Sequence, residues 1–386
     1  MTGILWANIT AFGHPPIAYS WPDALPGGGA VADGWVWLFQ YVFVDGKFRG
    51  LFTILFGAGM LLFMDRAWER GQGRGLQARR LAFLGLFGLI HFFLIWWGDI
   101  LFMYSLAGFM ALLFLRLSPR AMLLWAIGLY ALGGLLFTGG LYFQMAVEQS
   151  GEPAAVARQM TEALNAQLDH AAALREAFSG SYADIVAANA QLNSMKLGFY
   201  PILAVVETLP LMLVGMAMYR TGFFEGYFGR SKLLGWGAAG IVVSAVWSAW
   251  LGWGAMHAGF PFYYTQYVAN GIAHLARLPM VLGYAAVLAA IAASASRGWL
   301  GARIVAAGRV AFTNYIGTSV LMMFVFQGWA LGLFGQLSRL ELLVPMVAAW
   351  AIMLAWSKPW LERYRYGPLE WLWRCLTYGR RFAIRR

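Results

Sequence analysis

Stretches of apolar residues recur along almost the whole chain, with short polar segments between them. Nine of these runs approach the roughly 20 residues that an α-helix needs to cross the hydrocarbon core of a bilayer. Because a helix in lipid satisfies its own backbone hydrogen bonds, the pattern predicts one all-α transmembrane domain over residues 1–386. The runs are Phe48–Met64, Leu81–Trp97, Ile100–Leu115, Ala121–Leu141, Leu197–Tyr219, Leu233–Trp253, Leu278–Ala293, Val310–Phe334 and Leu342–Trp356.

A tenth run opens the chain but is shorter than the others. Thr2–Phe12 has 11 residues, which cover roughly 17 Å as a helix, about half the hydrocarbon core. We therefore expect a polytopic integral membrane bundle of about ten transmembrane helices. Its first helix is either truncated at this start or does not span.

Two longer segments interrupt the pattern of runs. Tyr142–Lys196 is polar and Ala-rich, with apolar residues at the i, i+4 spacing of an amphipathic helix. Residues 179–181 (Ser-Gly-Ser) break this helix before a second one near Tyr182–Asn193. Residues 142–196 are therefore predicted to form an external helical hairpin. The hairpin either caps the bundle or is a solvated helix pair without a site. Ala11–Gly46, rich in Gly and Pro and including Gly27 to Gly29, is predicted to be an outer loop. The apolar positions of the hairpin are Val156, Met160, Leu164 and Leu168.

Composition supports the membrane interpretation. The chain has 386 residues, of which 61% are hydrophobic and 12% charged, against about 25% charged in an average soluble domain. The 19 Trp and 17 Tyr suit two membrane–water interfaces. The net charge of +11 is spread over many short segments, which excludes a nucleic-acid-binding surface. Cys375 is the only cysteine, so there is no intramolecular disulfide.

The basic residues predict an orientation. If the segment after Phe48–Met64 is cytoplasmic, the cytoplasmic segments hold 21 of the 28 Lys and Arg residues. This positive-inside distribution places the C-terminus, with a basic tail over residues 357–386, in the cytoplasm, as in a multi-pass protein of a bacterial inner membrane. The cytoplasmic segments are Asp65–Arg80, Arg116–Arg120, Arg220–Lys232, Ser294–Arg309 and the tail.

Ionisable groups inside apolar runs are costly and usually functional. His91 lies in the outer half of Leu81–Trp97, and Asp99 follows in a tight outer turn. Glu207 lies in the middle of a run, three residues before Pro210, which would kink the helix. His91 with Asp99 or Glu207 makes a candidate base and orienting carboxylate. The alternative is that His91 is a satisfied interhelical hydrogen-bond donor and Glu207 a protonated carboxyl bonded to a neighbour.

Basic side chains supply further candidates on both faces. Lys47 and Arg49 lie where the outer face should be poor in cations. They either bind an acidic or polar substrate, pair with Asp45 and Asp99, or snorkel at the edge of a span. On the inner face, Arg79 and Arg80 belong to a basic loop that attracts lipid headgroups or the phosphates of a donor such as coenzyme A. Arg309 is grouped with them. The histidines have no strong metal-ligand spacing, so no metal is proposed.

Several local patterns recur along the chain: Gly46–Gly59, Arg79–Leu81 with Gly88–His91, Trp97–Leu101 with Tyr104, Gly308–Tyr315, and Tyr366–Arg374. Together they resemble the bacterial YeiB-like family, also called domain of unknown function 418. The resemblance covers nearly the whole chain; only the predicted hairpin has the character of a variable insert. The family's first helix usually opens with an Asp and an Arg-Gly pair, which this chain lacks, and this favours a truncated start.

The family is distantly similar to the transmembrane acyltransferases, which include the acyltransferase-3 proteins and heparan-glucosaminide N-acetyltransferase. This resemblance implies acyl transfer from a cytosolic acyl-CoA-type donor, with no permanently bound cofactor, to an extracytoplasmic sugar, lipid or envelope acceptor. His91 would be general base or acyl carrier, with Asp99 or Glu207 orienting it. Asn314 and Tyr315 join Lys47 and Arg49 as candidates for substrate binding.

Two other classes of function stay open at this point. A small-molecule transporter would use Glu207 and His91 to relay protons. A structural or regulatory subunit would use the hairpin as its docking surface. The partners expected in every case are the lipid bilayer and a homo-oligomer or larger membrane complex.

Overall fold

The protein is described by a computed structural model that covers residues 1–26, 31–150 and 154–386. Gly27 to Gly29 of the expected outer loop lie outside these described residues. About 80% of the chain is helical and the described part contains no strand, which confirms the all-α prediction.

The first half of the chain alternates long helices with short ones. Helices α1 and α2 precede the undescribed glycines, and α8 and α9 are separated by the break predicted at residues 179–181. The helices are α1 (Thr2–Gly13), α2 (Ile17–Ser20), α3 (Val31–Phe43), α4 (Lys47–Trp68), α5 (Arg74–Leu94), α6 (Leu101–Ala111), α7 (Pro119–Ser150), α8 (Ala154–Ser179) and α9 (Tyr182–Gln191).

The second half contains two π-helical turns, Ala204–Thr208 and Tyr267–Ile272. Each of them joins two α-helical pieces, so the backbone widens locally where it would otherwise continue as a regular helix. The helices here are α10 (Met195–Leu203), α11 (Leu209–Arg220), α12 (Arg230–His257), α13 (Phe262–Gln266), α14 (Ala273–Ala276), α15 (Leu278–Ala295), α16 (Trp299–Arg309), α17 (Ala311–Phe326), α18 (Leu343–Arg363) and α19 (Pro368–Tyr378).

Among the described residues, six helical segments are long and apolar enough to cross a membrane. A seventh is added if α16 and α17, which meet at 88°, form one broken span. The prediction of about ten also counted α18, which is not among the six, and α1 and α6. The helices α1 and α6 have 12 and 11 residues, fewer than the roughly 20 that a straight span needs. The six segments are Val31–Trp68, Arg74–Leu94, Pro119–Ser150, Met195–Arg220, Arg230–His257 and Leu278–Ala295.

Two predicted boundaries were wrong. The run Val310–Phe334 is not one helix, because α17 ends at Phe326 and Gln327 takes an extended backbone with φ −78° and ψ 144°. The predicted outer loop Ala11–Gly46 contains the helix α3, which is followed at once by α4. The apolar sequence of α3 forms its own helix, and the Gly and Pro signals apply only to the residues before it.

Helices α4 and α11 pack backbone against backbone at the centre of the protein. A methyl group built on Gly57 would lie 2.1 Å from the Met212 carbonyl oxygen, and one built on Gly215 would lie 1.9 Å from the Ile54 carbonyl oxygen. Only residues without a side chain permit this approach, which is a common device for helix association in lipid. The contact fixes the position of α4 relative to the helix that carries Glu207.

Helices α8 and α9 follow one another within the segment 142–196, whose first residues belong to α7, and they pack on the segment around α2. Met160 and Leu164 contact a buried cluster that includes Ile17, Phe262 and Tyr263. A capping box at Ser181 starts α9. The helices α8 and α9 are therefore joined to the rest of the protein by apolar contacts.

The C-terminal helix α19 packs against α5 and α17. Glu370 accepts hydrogen bonds from the backbone N–H groups of Phe312 and Thr313, at 2.7 and 3.0 Å, and so caps the first turn of α17. The Trp373 indole N–H donates to the Arg80 carbonyl oxygen at 2.8 Å. These bonds join the basic tail to the helices that line the site described next.

Candidate functional site

His91 and Asp99 form a buried hydrogen-bonded pair. The His91 Nδ1–H donates to Asp99 Oδ1 at 3.0 Å, and neither side chain is exposed. Because α5 ends at Leu94 and the chain turns before α6, residues eight apart in sequence come face to face. The bond fixes which ring nitrogen carries the proton, and it leaves Nε2 as the nitrogen that can accept one.

Asp99 is itself held by its surroundings. Its second carboxylate oxygen accepts the Phe102 backbone N–H at 2.7 Å, and its carbonyl oxygen accepts the Tyr200 hydroxyl at 2.9 Å. One hydrogen bond to each carboxylate oxygen and one to the carbonyl oxygen fix the orientation of this residue. The pair therefore has the geometry of a base and its orienting carboxylate.

Aromatic rings surround the His91 imidazole. The Tyr315 ring lies 5.0 Å and the Trp96 ring 6.2 Å from it, centroid to centroid. The Tyr315 hydroxyl accepts the Ile100 backbone N–H at 3.3 Å. His91 Nε2 is buried and has no hydrogen-bond partner among the described residues. A buried imidazole nitrogen without a partner is expensive unless a ligand uses it.

A cavity of about 210 Å³ adjoins this pair. Tyr315 and Ile100 form its wall on the His91 side, and Arg80, Arg309 and Glu370 line its other end. Between the two ends the lining is apolar and aromatic, which suits an acyl or pantetheine chain better than a polar solute. These intermediate residues include Phe52, Phe56, Leu84, Leu101, Tyr104 and Phe312.

The two arginines at the basic end are held differently. The Arg80 guanidinium lies between aromatic rings, 4.7 Å from Phe63 and 4.4 Å from Trp373, an arrangement worth about 1–2 kcal/mol per ring when desolvated. Arg309 is exposed and can turn towards a ligand. Arg79, the third predicted phosphate-binding residue, is exposed but does not line the cavity.

Glu207 does not contact His91 and pairs with two arginines instead. Arg49 donates to Glu207 Oε1, and Arg277 lies 2.9 Å from the same oxygen. Glu207 belongs to the π-helical turn Ala204–Thr208, which is followed by Pro210 in the first turn of α11. Since proline has no N–H, the helix widens there and directs the carboxylate towards α4. The suggestion that Glu207 orients His91 is therefore replaced by an ion-pair role.

Two other predicted substrate-binding residues are engaged with the protein itself. The Lys47 ammonium is buried and donates to the Tyr41 carbonyl oxygen. The Asn314 amide donates to the Ala307 carbonyl oxygen at 3.0 Å and accepts the Trp356 indole N–H at 2.9 Å. Both side chains hold helices together, and neither presents a free group to the cavity. Of the four residues in that group, Arg49 and Tyr315 remain available.

Arg277 and Tyr104 were missed by sequence reasoning. Arg277 is one of seven Lys and Arg residues outside the predicted cytoplasmic segments, and that exception to the positive-inside rule was the signal that could have found it. Tyr104 lines the cavity, and its hydroxyl lies 2.8 Å from Thr53 Oγ1. A tyrosine in an apolar run gives no such signal.

Sequence reasoning also missed a cluster of buried polar residues around Arg339, which is 1% exposed. Its guanidinium donates to the carbonyl oxygens of Ala18 and Tyr19, at 2.8 and 3.2 Å. Nearby, the Leu337 carbonyl oxygen accepts a hydrogen bond from His14, and burial lowers the pKa of His14 to about 4. These contacts join the loop after α17 to the first helices. No three potential metal-ligating side chains come together within the described residues.

Comparison with known proteins finds relatives along nearly the whole chain. Residues 218–380 match a family described as "Protein of unknown function (DUF418)". "Uncharacterized protein YeiB" of Escherichia coli strain K12 is 31% identical over 97% of this chain and 92% of its own length. "Uncharacterized protein YxaH" of Bacillus subtilis strain 168 is 30% identical over 97% and 91%. No solved structure matches the chain.

Proposed function

The chain belongs to the YeiB-like DUF418 family, and we propose that it is a membrane-embedded acyltransferase. It would move an acyl group from a cytosolic acyl-CoA-type donor to an extracytoplasmic sugar, lipid or envelope acceptor. The observation that carries the proposal is the cavity that runs from Arg80 and Arg309 to the wall beside His91. One end presents the cations Arg80 and Arg309 to the phosphates of a donor, the other end lies beside Tyr315, which covers the His91 imidazole, and the passage between them is apolar.

In this proposal the donor's phosphates lie against Arg80 and Arg309, and its pantetheine arm lies along the aromatic lining. The acceptor's hydroxyl or amine gives its proton to His91 Nε2 as its oxygen or nitrogen attacks the thioester carbonyl. The C–S bond breaks, and the imidazolium returns the proton to the thiolate, which leaves free coenzyme A and the acylated acceptor. Alternatively, Nε2 carries the acyl group between the two substrates.

Tyr315 and Asp99 are positioning residues in this proposal, because both act through the His91 ring. Tyr315 separates the cavity from the His91 ring, so a small rotation of its side chain would open the imidazole to the donor. Asp99 holds the tautomer and stabilises the imidazolium as it forms.

Orientation and span count are part of the same proposal. The bundle would sit in a bacterial inner membrane with its C-terminus in the cytoplasm, which places Arg80, Arg309 and α19 at the cytosolic face. The α8–α9 hairpin would lie outside. Short and bent helices such as α1, α6 and α17 would complete about ten crossings.

Transport is supported less well than transfer. A transporter that relays protons through Glu207 needs a substrate-sized space there, whereas the cavity at Glu207 has a volume of about 10 Å³. That is room for about one water molecule.

The test uses inside-out membrane vesicles and radiolabelled acetyl-CoA. Vesicles that contain the protein should transfer label to a lipid or saccharide product, and vesicles from a strain that lacks the gene should not. Arg309→Gln should raise KM for acetyl-CoA roughly tenfold or more, the usual value of a charge-assisted hydrogen bond. The matched control is Arg303→Gln, on the same helix but stacked on Trp299. No transfer above that of the deletion strain, with several envelope acceptors supplied, would refute the proposal.

A further inference from the structure

Three charged side chains from different helices meet on one side of α4. Arg49 comes from α4, Glu207 from the π-helical turn before α11, and Arg277 from the turn before α15. Their side chains are 30%, 9% and 14% exposed, respectively. Such burial of three ionisable groups in an apolar protein calls for a reason beyond stability, since buried ion pairs seldom improve on apolar packing.

The cluster carries an excess positive charge. Two guanidinium groups face one carboxylate, and both contact the same oxygen, Glu207 Oε1, each through one terminal nitrogen. Neither arginine forms the bidentate pair, with two parallel N–H···O bonds, that its planar guanidinium permits. A guanidinium has five N–H donors, and among the described residues Arg277 also contacts His274 Nδ1, at 3.3 Å, and the Tyr130 hydroxyl. The guanidinium groups of Arg49 and Arg277 therefore retain N–H donors for a second anion.

A small cavity lies between these groups. Its volume is about 10 Å³, and Arg49, Glu207 and Arg277 line it together with Thr53 and Tyr130. This holds one water-sized group, and the terminal oxygen of a carboxylate or phosphate has that size. The rest of such a ligand would extend past Arg49, the most exposed member of the cluster.

This cavity adjoins the larger one that leads towards His91. Thr53 lines the small cavity and Tyr104 lines the large one, and their hydroxyl oxygens are 2.8 Å apart. The Tyr104 hydroxyl also donates to the Arg49 carbonyl oxygen at 3.2 Å. One hydrogen-bonded pair of side chains therefore separates the cation cluster from the proposed acyl-donor passage.

From this geometry we infer that Arg49 and Arg277 bind an oxoanion, and that the acceptor is an anionic molecule bearing a carboxylate or phosphate. Glu207 is the resident counter-ion, which holds the guanidinium groups in place when the site is empty and competes with the ligand for them. The identification of the ligand as the acceptor rests on the proposed acyl transfer; the anion site itself does not.

The test measures binding without any acyl donor. Purified protein in a neutral detergent is titrated by calorimetry with inorganic phosphate and, separately, with short-chain phosphatidylglycerol. Saturable binding of phosphate alone indicates a free oxoanion, and tighter binding of the lipid indicates a headgroup. Either result supports the site, and no saturable binding of either probe overturns it.

Two substitutions with opposite expected effects on anion affinity make the test specific. Arg277→Gln should weaken binding at least tenfold, because it removes one charge-assisted contact. Glu207→Gln should tighten it about tenfold, because it removes the competing carboxylate while keeping the shape. Arg158→Gln, at an exposed position on α8, should bind like the wild type. If Glu207→Gln fails to fold, Arg277→Gln decides alone, and an unchanged Kd in that variant overturns the inference.

Failure of this inference can be told apart from failure of the proposed function. His91→Gln should bind the anion with wild-type affinity, since His91 is not part of the cluster. Anion binding without acyl transfer would leave the site standing and remove the acyltransferase proposal. Acyl transfer to a neutral acceptor without anion binding would overturn the anion site and leave the acyltransferase proposal standing.

Discussion

Replacing Gly57 by Ala tests the contact that holds Arg49 and Glu207 together. The added methyl carbon would lie 2.1 Å from the Met212 carbonyl oxygen and 2.7 Å from its Cα. Ordinary contact begins at 3.4 Å, so α4 and α11 would have to move apart by roughly 1.3 Å. Both neighbouring atoms are backbone, and a rotation of a side chain cannot relieve the overlap.

The expected cost follows from overpacking. Inserting a methyl group into a closely packed contact costs about 1–3 kcal/mol, whereas Gly→Ala within a helix gains up to about 1 kcal/mol from helix propensity. Gly59→Ala is the matched control, because it lies on the same helix with nothing within 4 Å of its added methyl group. We expect it to be neutral or slightly stabilising. The gain in helix propensity is common to both variants, so their stabilities should differ by the overpacking cost alone, about 1–3 kcal/mol.

Thermal unfolding in detergent, followed by the fluorescence of the 19 tryptophans, measures the difference. Gly57→Ala should lower the apparent Tm by roughly 2–8 °C, while Gly59→Ala should leave it unchanged or raise it. The same Gly57 variant should lose anion affinity, because Arg49 lies two turns along α4 from the contact. A Gly57→Ala protein as stable as Gly59→Ala would show that the helices do not approach as described.

Three further predictions concern the tail, the hairpin and the topology. Glu370→Ala removes the cap of α17 and should lower the stability measured by thermal unfolding by about 1–3 kcal/mol. The control Glu362→Ala, which breaks an exposed ion pair with Lys358, should lower it by less than about 1 kcal/mol. Equal losses in the two variants would contradict the capping role of Glu370. Hydrogen bonds from Ser181 lower the pKa of Asp184, so this carboxylate stabilises the start of α9 above its unfolded pKa, and the effect is lost as pH falls through the folded one. The protection factors of the Tyr182–Gln191 amides, which correct for the intrinsic pH dependence of hydrogen exchange, should fall as the pH drops below about 4 in the wild type but change little in Asp184→Asn. Parallel behaviour of the two proteins would contradict the assignment. Reporter fusions after Arg74, Arg230 and Arg303 should read cytoplasmic and one within Asn165–Arg175 external, while an external result at Arg303 would mean that the later spans are miscounted.

Local features of the site could be predicted from the sequence, and distant contacts could not. His91 and Asp99 are eight residues apart across a tight turn, so their proximity follows from the end of one helix and the start of the next. The two partners of Glu207 are distant in sequence: Arg49 lies on α4, and Arg277 precedes α15, seventy residues further along the chain. Hydrophobic periodicity carries no information about such contacts.

The same limit applied to the fold. Apolar runs located the long helices, because a span requires little more than length and hydrophobicity. They could not show that α17 stops at Phe326, because the turn after it is as apolar as the helix. The glycine and proline residues near the start also concealed α3, whose own residues favour a helix. The cavity between Arg80 and His91 depends on α17 and α19 closing over α5, which only the tertiary structure reveals.

Transfer of label from radiolabelled acetyl-CoA, measured with membranes that contain wild-type protein or His91→Gln, tests the central claim most directly. Glutamine keeps a donor and an acceptor but cannot take a proton near neutral pH. The account predicts a loss of roughly 10²–10⁴-fold in rate, the usual contribution of general acid–base catalysis, with unchanged expression and Tm. Asp99→Asn should lose less, because it only orients the ring. A folded His91→Gln protein that transfers acyl groups at a near-wild-type rate would contradict the role assigned to His91 and the mechanism built on it.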